Sequence, residues 1–544
     1  MSQLARRSAL VLALLFGLVF AVGVGVMYYL DVPMVFAIVF ALVVVGTQYL
    51  VGPLIIDSVF KIRWTNASEV SGQFGEWYRA QCKRAGMREP RFGIIPDGNP
   101  NAFAYGRTRR DARVVVTAGL LDMLTPEEAQ AVVAHELGHV EHRDFIVMTA
   151  AQAAPLILYI AYIWTRRLRG SYAFLVSIGA YAVYILSQYI VLLLSRTREF
   201  FADEASAQAT RNPNLLSSAL VKICYGLARS PAAASGHLPI PGSDAEQKKS
   251  NKNKWVDPAV ATAAMCIASA RESSAFAMSA SDATGSFSSV AMADAMQWEL
   301  KNPWAKWFEL NSTHPLTARR VLALNKAASR LGIPAAFGLE SRFSSLEYTG
   351  HFALEILVYC LPLMGAVVGA VLGRGQAGGW ELMAGYGLIG FAIGRGIKAA
   401  MAYPRINETV RTVQDLVGQE INASPMAPVS CVVEGEIIGR GVPGLFYSPD
   451  LVLRDQTGFI RTLYRQPLGS VMRPLFGITK AERLIGQKVR ILGWYRRAQA
   501  PYLEIYRIEP NGMAGDTVRC HFGLWMFASA ALALLAGCVL VMAL

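Results

Sequence analysis

The chain alternates long unbroken apolar runs with segments of mixed polarity, and the runs set its architecture. Counting about 20 residues per membrane crossing predicts spans at about 8–30, 33–56, 145–164, 172–195, 352–373, 380–400 and 522–543. The first run is too long for the apolar core of a signal peptide, no Ala-x-Ala site follows, and a second run begins almost at once. It is therefore read as an anchor. Arg6 and Arg7 precede it and the loop at 29–32 has no positive charge, which predicts a cytoplasmic N-terminus. Counting crossings from there puts residues 57–144, 196–351 and 401–521 in the cytoplasm and the C-terminus outside. Arg166, Arg167 and Arg169 lie between the third and fourth runs, where this count opposes the positive-inside preference. A hairpin that does not fully cross is the alternative. Both arrangements bring residue 199 back to the side that holds residue 135.

Between the runs the periodicity changes. Thr125-Pro126-Glu127-Glu128 opens a helix, with proline in the first turn and acids near the positive dipole end. Apolar alternation at Cys431–Ile438, Leu451–Leu453, Phe459–Leu463, Val489–Tyr495 and Leu503–Ile508 predicts five short strands. Asp455-Gln456-Thr457-Gly458 is one turn between them and Ile485-Gly486-Gln487 another. Five strands with a longer insert between the third and fourth resemble an OB-fold barrel. Gly365, Gly369 and Gly373 in the fifth span, then Gly390 and Gly394 in the sixth, are spaced for close helix packing. The fold class is thus a multi-span α-helical membrane protein with a mainly α cytoplasmic unit and a small C-terminal β-barrel (OB-like) domain.

Composition fits that reading. Apolar residues make up 53% of the 544 positions and charged residues 17%, which excludes a disordered or fibrous chain. The formal charge of +13 suits cytoplasmic loops facing anionic lipid before it suits nucleic acid. Seven scattered cysteines without a CxxC pair read as isolated thiols in a reducing compartment.

The candidate chemistry lies in Ala134-His135-Glu136-Leu137-Gly138-His139. On a helix His135 and His139 project from one face at the separation a zinc ion needs, and Glu136 sits beside them where a carboxylate can take a proton from water. His142 continues the stripe, but about 10 Å of axial rise separates it from His135, so one ion does not reach all three. The better third ligand is Glu199, with Asp203 one turn later on the same face. One of these carboxylates can bind metal while the other accepts the free N–H of a ligating imidazole.

HELGH, a hydrophobic hairpin and then Arg198-Glu199-Phe200-Phe201-Ala202-Asp203 resemble the membrane gluzincins that include HtpX and the CAAX prenyl proteases. Asn99–Gly106, Val114–Leu121 and Ser312-Thr313-His314-Pro315 through Arg320 are similar to further family segments in family order, over roughly residues 1–330. Two spans before HExxH and two after it favour the HtpX type. The resemblance implies a zincin-like metalloprotease domain with one Zn²⁺ per chain on His135, His139 and Glu199. It implies Glu136 as general base, and His314 and Arg320 near the tetrahedral intermediate. Asn101, Ala102, Phe103 and Ala104 would form the strand that pairs with an extended peptide.

The domain plan is two transmembrane helices (1–56), the first part of the protease domain (57–144), a transmembrane hairpin (145–195) and the second part (196–350). Two further helices (351–400), the OB-like domain (401–519) and a last helix (520–544) complete it. Residues 230–254, Pro/Ala/Ser-rich and then basic, predict a loop, in which His237 is solvated. Three readings follow. The leading one is an inner-membrane, multi-pass zinc endopeptidase with a cytoplasmic site, cutting damaged membrane proteins among membrane lipids. The second is a processing enzyme resembling the CAAX proteases. The third is a scaffold whose barrel binds nucleic acid or a protein, with the metal only structural; for the barrel itself, membrane docking is favoured over nucleic acid.

Overall fold

The computed structural model describes residues 3–543 apart from 31–34, 167–171, 226–295, 340–345, 376–378, 418–422, 446, 499–500 and 512–516. The basic loop and His237 therefore lie outside the described residues, as do Arg167 and Arg169. Helices occupy all seven expected span positions. Five are long and apolar enough to cross a membrane among the described residues: Ile38–Val59, Asp144–Thr165, Ala173–Thr210, Tyr348–Arg374 and Phe522–Met542. The first expected span falls in helix α1 (Gln3–Leu30), and the sixth in a 24-residue helix, Gly379–Ala402. The latter carries Glu381, Arg395 and Lys398, so its apolar character is weaker than the pattern suggested.

The helices form two packed groups. α1, α2 (Val35–Val59), α6 (Asp144–Thr165) and α7 (Ala173–Thr210) make one, with Leu15, Ala41, Ala154, Leu158 and Leu194 at its centre. Leu346–Arg374, Gly379–Ala402 and Phe522–Met542 make the other. The glycine spacing does what it predicted. A Cβ at Gly365 would stand 2.1 Å from the Gly390 carbonyl oxygen, so the two backbones touch there.

Outside the first group lies a four-stranded sheet in the order β1-β2-β4-β3, built from Arg63–Thr65, Arg91–Ile95, Ala102–Tyr105 and Arg113–Thr117. β2 and β4 are parallel; β3 runs antiparallel to β4, with Ala102 opposite Val116 and Ala104 opposite Val114. β3 is therefore an edge. It begins one residue later than expected, because Asn101 donates its backbone N–H to Thr117 Oγ1 at 2.8 Å and so leads into the ladder. Strand alternation divides its side chains. Ala102 and Ala104 pack toward the helical core of α3 (Gly72–Arg84), α5 (Pro126–Glu141) and α8 (Pro213–Tyr225), whereas Phe103 and Tyr105 enter a second core on the opposite face.

The C-terminal unit is a closed barrel of five strands: β5 (Val429–Arg440), β6 (Leu451–Arg454), β7 (Phe459–Leu463), β8 (Lys488–Arg496) and β9 (Tyr502–Pro510). Its order is β5-β6-β7-β9-β8-β5, antiparallel except for the parallel pair β7–β9, and Val518–Arg519 (β10) pairs with β9. The Asp455 turn closes as expected, with Asp455 Oδ1 accepting from the Thr457 and Gly458 amides at 2.7 and 2.8 Å. The barrel is fused to the sheet domain. Val442 and Leu445, between β5 and β6, share the core of Phe60, Ile95, Phe103 and Tyr105. Asn99 Nδ2 donates to the Arg440 carbonyl at 2.9 Å.

Candidate metal centre

α5 starts where its sequence says it should. Thr125 Oγ1 accepts the Glu128 amide, Glu128 Oε2 accepts the Thr125 amide at 3.0 Å, and Pro126 fills the first turn. Gly138 lets α7 lie close against this helix, since a Cβ there would be 3.0 Å from Ala205 Cβ. α7 is unbroken over 38 residues, so the apolar run continues as a helix that carries Glu199 and Asp203 one turn apart opposite the two histidines.

The imidazoles turn their Nε2 atoms toward each other, 3.2 Å apart. His139 Nε2 lies 3.4 Å from Glu199 Oε1 and His135 Nε2 lies 3.6 Å from Glu199 Oε2. A tetrahedral zinc ion with bonds of about 2.0–2.1 Å holds its donors roughly 3.3 Å apart. Two imidazole nitrogens and one carboxylate at these separations fit such an ion, and they are the group of three among the described residues placed to hold one.

The outward-facing nitrogens are both taken. His135 Nδ1 is 3.0 Å from Asp203 Oδ1, and His139 Nδ1 is 2.6 Å from Asp144 Oδ2. Each carboxylate fixes its imidazole with Nε2 toward the centre. Asp203 is itself gripped by Arg320, whose Nε and terminal nitrogen donate to its two oxygens at 3.0 and 2.5 Å. The buried Arg320 guanidinium, expected near the tetrahedral intermediate, lies at the donor group, forking onto Asp203 with Nη1 3.4 Å from Glu199 Oε2. Arg198 donates through one terminal nitrogen to Asp144 Oδ1, and the same nitrogen reaches the His142 carbonyl at 3.0 Å.

His314 is presented by a turn in which its amide donates to Ser312 Oγ at 3.1 Å, and its Nδ1 lies 2.8 Å from Glu199 Oε2. His142 caps α5 away from the donor group, beside Phe201. Glu136 is half-buried next to the ligands. Burial raises its pKa above the ordinary carboxylate value against the opposing pull of His135 and His139. Burial alone would lower the His135 pKa, but hydrogen bonds to Asp203 and Glu199 outweigh it and bring it to about 9. Asp144 and Arg198 carried no role in the sequence reading. The available signal was a lone acid at the head of an apolar run, five residues after His139.

Residues 73–328 match the family model described as Peptidase family M48. A protein named Protease HtpX homolog from Aeropyrum pernix is 31% identical over 273 residues, which cover 47% of this chain and 76% of that protein. The chain belongs to peptidase family M48. A second Protease HtpX homolog, from Methanothermobacter thermautotrophicus, is 46% identical over 146 residues, 27% of this chain and 57% of its own length. The chain thus spans little more than half of that curated relative. The crystal structure of S. mikatae Ste24p aligns at 18% identity over 40% of this chain and 57% of that chain, with a TM-score of 0.29. The M48 match contains all of the donor group and stops short of the barrel.

Proposed function

We propose that the protein is an integral membrane zinc-dependent endopeptidase of the HtpX type with its site facing the cytoplasm. The observation that carries this reading is the convergence of His135, His139 and Glu199, with Glu136 beside them. A zinc ion held by those three would polarise a peptide carbonyl and acidify a water molecule. The chain's own groups do the rest. Glu136 takes a proton from the attacking water and delivers it to the leaving amine. His314, on the open side of Glu199, supplies a hydrogen bond to the developing oxyanion. Arg320 acts at one remove by holding Asp203, and through it His135. The β3 edge offers Asn101, Ala102, Phe103 and Ala104 to an extended substrate, whose backbone adds as a further strand.

One ion per chain is supported by the one donor group found among the described residues. The cytoplasmic placement is supported by Arg6 and Arg7 at the start of α1, ahead of its apolar stretch, and by α1 and α2 returning the chain to the same side. Polypeptide substrates from the membrane and a quality-control role fit a site built where α7 leaves the bilayer and α6 enters it. The barrel is read as OB-like and as a membrane-proximal unit, not a nucleic-acid binder.

The test is terminal-peptide mapping of membranes containing the native protein or Glu136→Gln. The reading expects zinc retained and cleavage lost in the variant, and many unrelated new termini with the native protein. Zinc retained with unchanged cleavage would remove Glu136 from catalysis. One recurring terminus would point to a processing enzyme.

A further inference from the structure

The barrel carries an apolar stripe that its own core does not use. Helix Gly469–Phe476 and the turns after it expose Leu468 (72%), Val471 (67%), Leu475 (50%) and Ile478 (52%), while Phe476, Ala481 and Leu484 point inward. The exposed set recurs at helical spacing and so forms one face. Lys480 and Arg483 beside it are exposed as well.

Both ends of this segment are fastened where the chain meets the membrane. At its start the Arg465 guanidinium lies over the Phe522 ring, 5.6 Å from its centre, and Gln466 Nε2 donates to the Arg519 carbonyl at 2.7 Å. Phe522 opens the last span. At its end Lys61 Nζ lies 2.9 Å from Glu482 Oε1, two residues after α2 finishes at Val59. The stripe therefore bridges two points of membrane entry and continues the apolar surfaces of α2, exposed at Leu50 and Leu54, and of the last helix, exposed at Leu524 and Trp525.

We propose that residues 468–478 form an interfacial helix that lies in the bilayer surface, with Leu468, Val471, Leu475 and Ile478 in the acyl boundary. Lys480 and Arg483 then sit at the level of anionic headgroups. This fixes the tilt of the barrel independently of the peptidase chemistry. The test places benzoyl-phenylalanine at Val471 or Leu475 of the full chain in phosphatidylethanolamine/phosphatidylglycerol vesicles. A control carries it at Glu434, on the charged face of β5. The proposal expects phospholipid adducts by mass after irradiation at Val471 and Leu475, several times the yield at Glu434. Yields equal to the control would overturn it. So would crosslinks to a second copy of the chain in place of lipid, which would make the stripe a protein interface.

Discussion

Asp144 Oδ2 lies 2.6 Å from His139 Nδ1, across a turn in which Arg143 takes the left-handed conformation (φ 59°). That turn ends α5 and starts α6, so α6 begins with the side chain that meets a candidate metal-ligating histidine. Asp144→Asn keeps the shape and removes the charge that favours a protonated Nδ1. Zinc affinity is expected to fall by about 10- to 100-fold, read by competition with a chromophoric chelator. Unchanged affinity would show that the turn alone positions His139.

The Arg320 fork on Asp203 is buried and joins two helices far apart in sequence. Removing one partner of such a pair costs about 3–5 kcal/mol. Arg320→Ala should lower the unfolding midpoint of the metal-free protein accordingly. Arg320→Lys should recover little of it, because one ammonium cannot span both carboxylate oxygens. Equal midpoints for all three proteins would refute the role.

Much of this site is legible in the sequence, and the part that is not has a physical reason. HELGH and the later acidic pair are in phase on helices whose starts and continuity the pattern gives. Asp144 escapes because its approach to His139 depends on a positive φ at an arginine, which no periodicity signals. The barrel strands are legible to within two residues at either end. Its attachment is not, since Val442 and Leu445 read as loop residues and find their core more than 300 positions away.

Glu136 must be ionised to accept a proton, and its pKa is raised by burial. In the metal-free protein its carboxyl, followed by carbon-13 NMR, should therefore titrate above an exposed glutamate. Adding zinc should move that titration down, because the cation favours the carboxylate. A Glu136 signal that titrates with the exposed glutamates in the metal-free protein would refute the burial argument.

The contact between Gly365 and Gly390 leaves no room for a side chain, with a Cβ at Gly390 only 1.9 Å from the Gly365 carbonyl oxygen. Gly390→Leu should separate the two helices and lower stability in detergent by about 1–3 kcal/mol. A thermal shift assay on purified protein reads this, and an unchanged midpoint would mean that the helices do not depend on the contact.

The shared core of Phe103, Tyr105, Val442 and Leu445 also orders events during synthesis. All three candidate ligands have been translated once residue 199 is made, whereas the packing behind β3, begun by Phe60 and Ile95, is complete only when residue 445 leaves the ribosome, after a further pair of helices. A nascent chain at that stage owns its candidate metal donors but only part of the backing of the edge strand beside them.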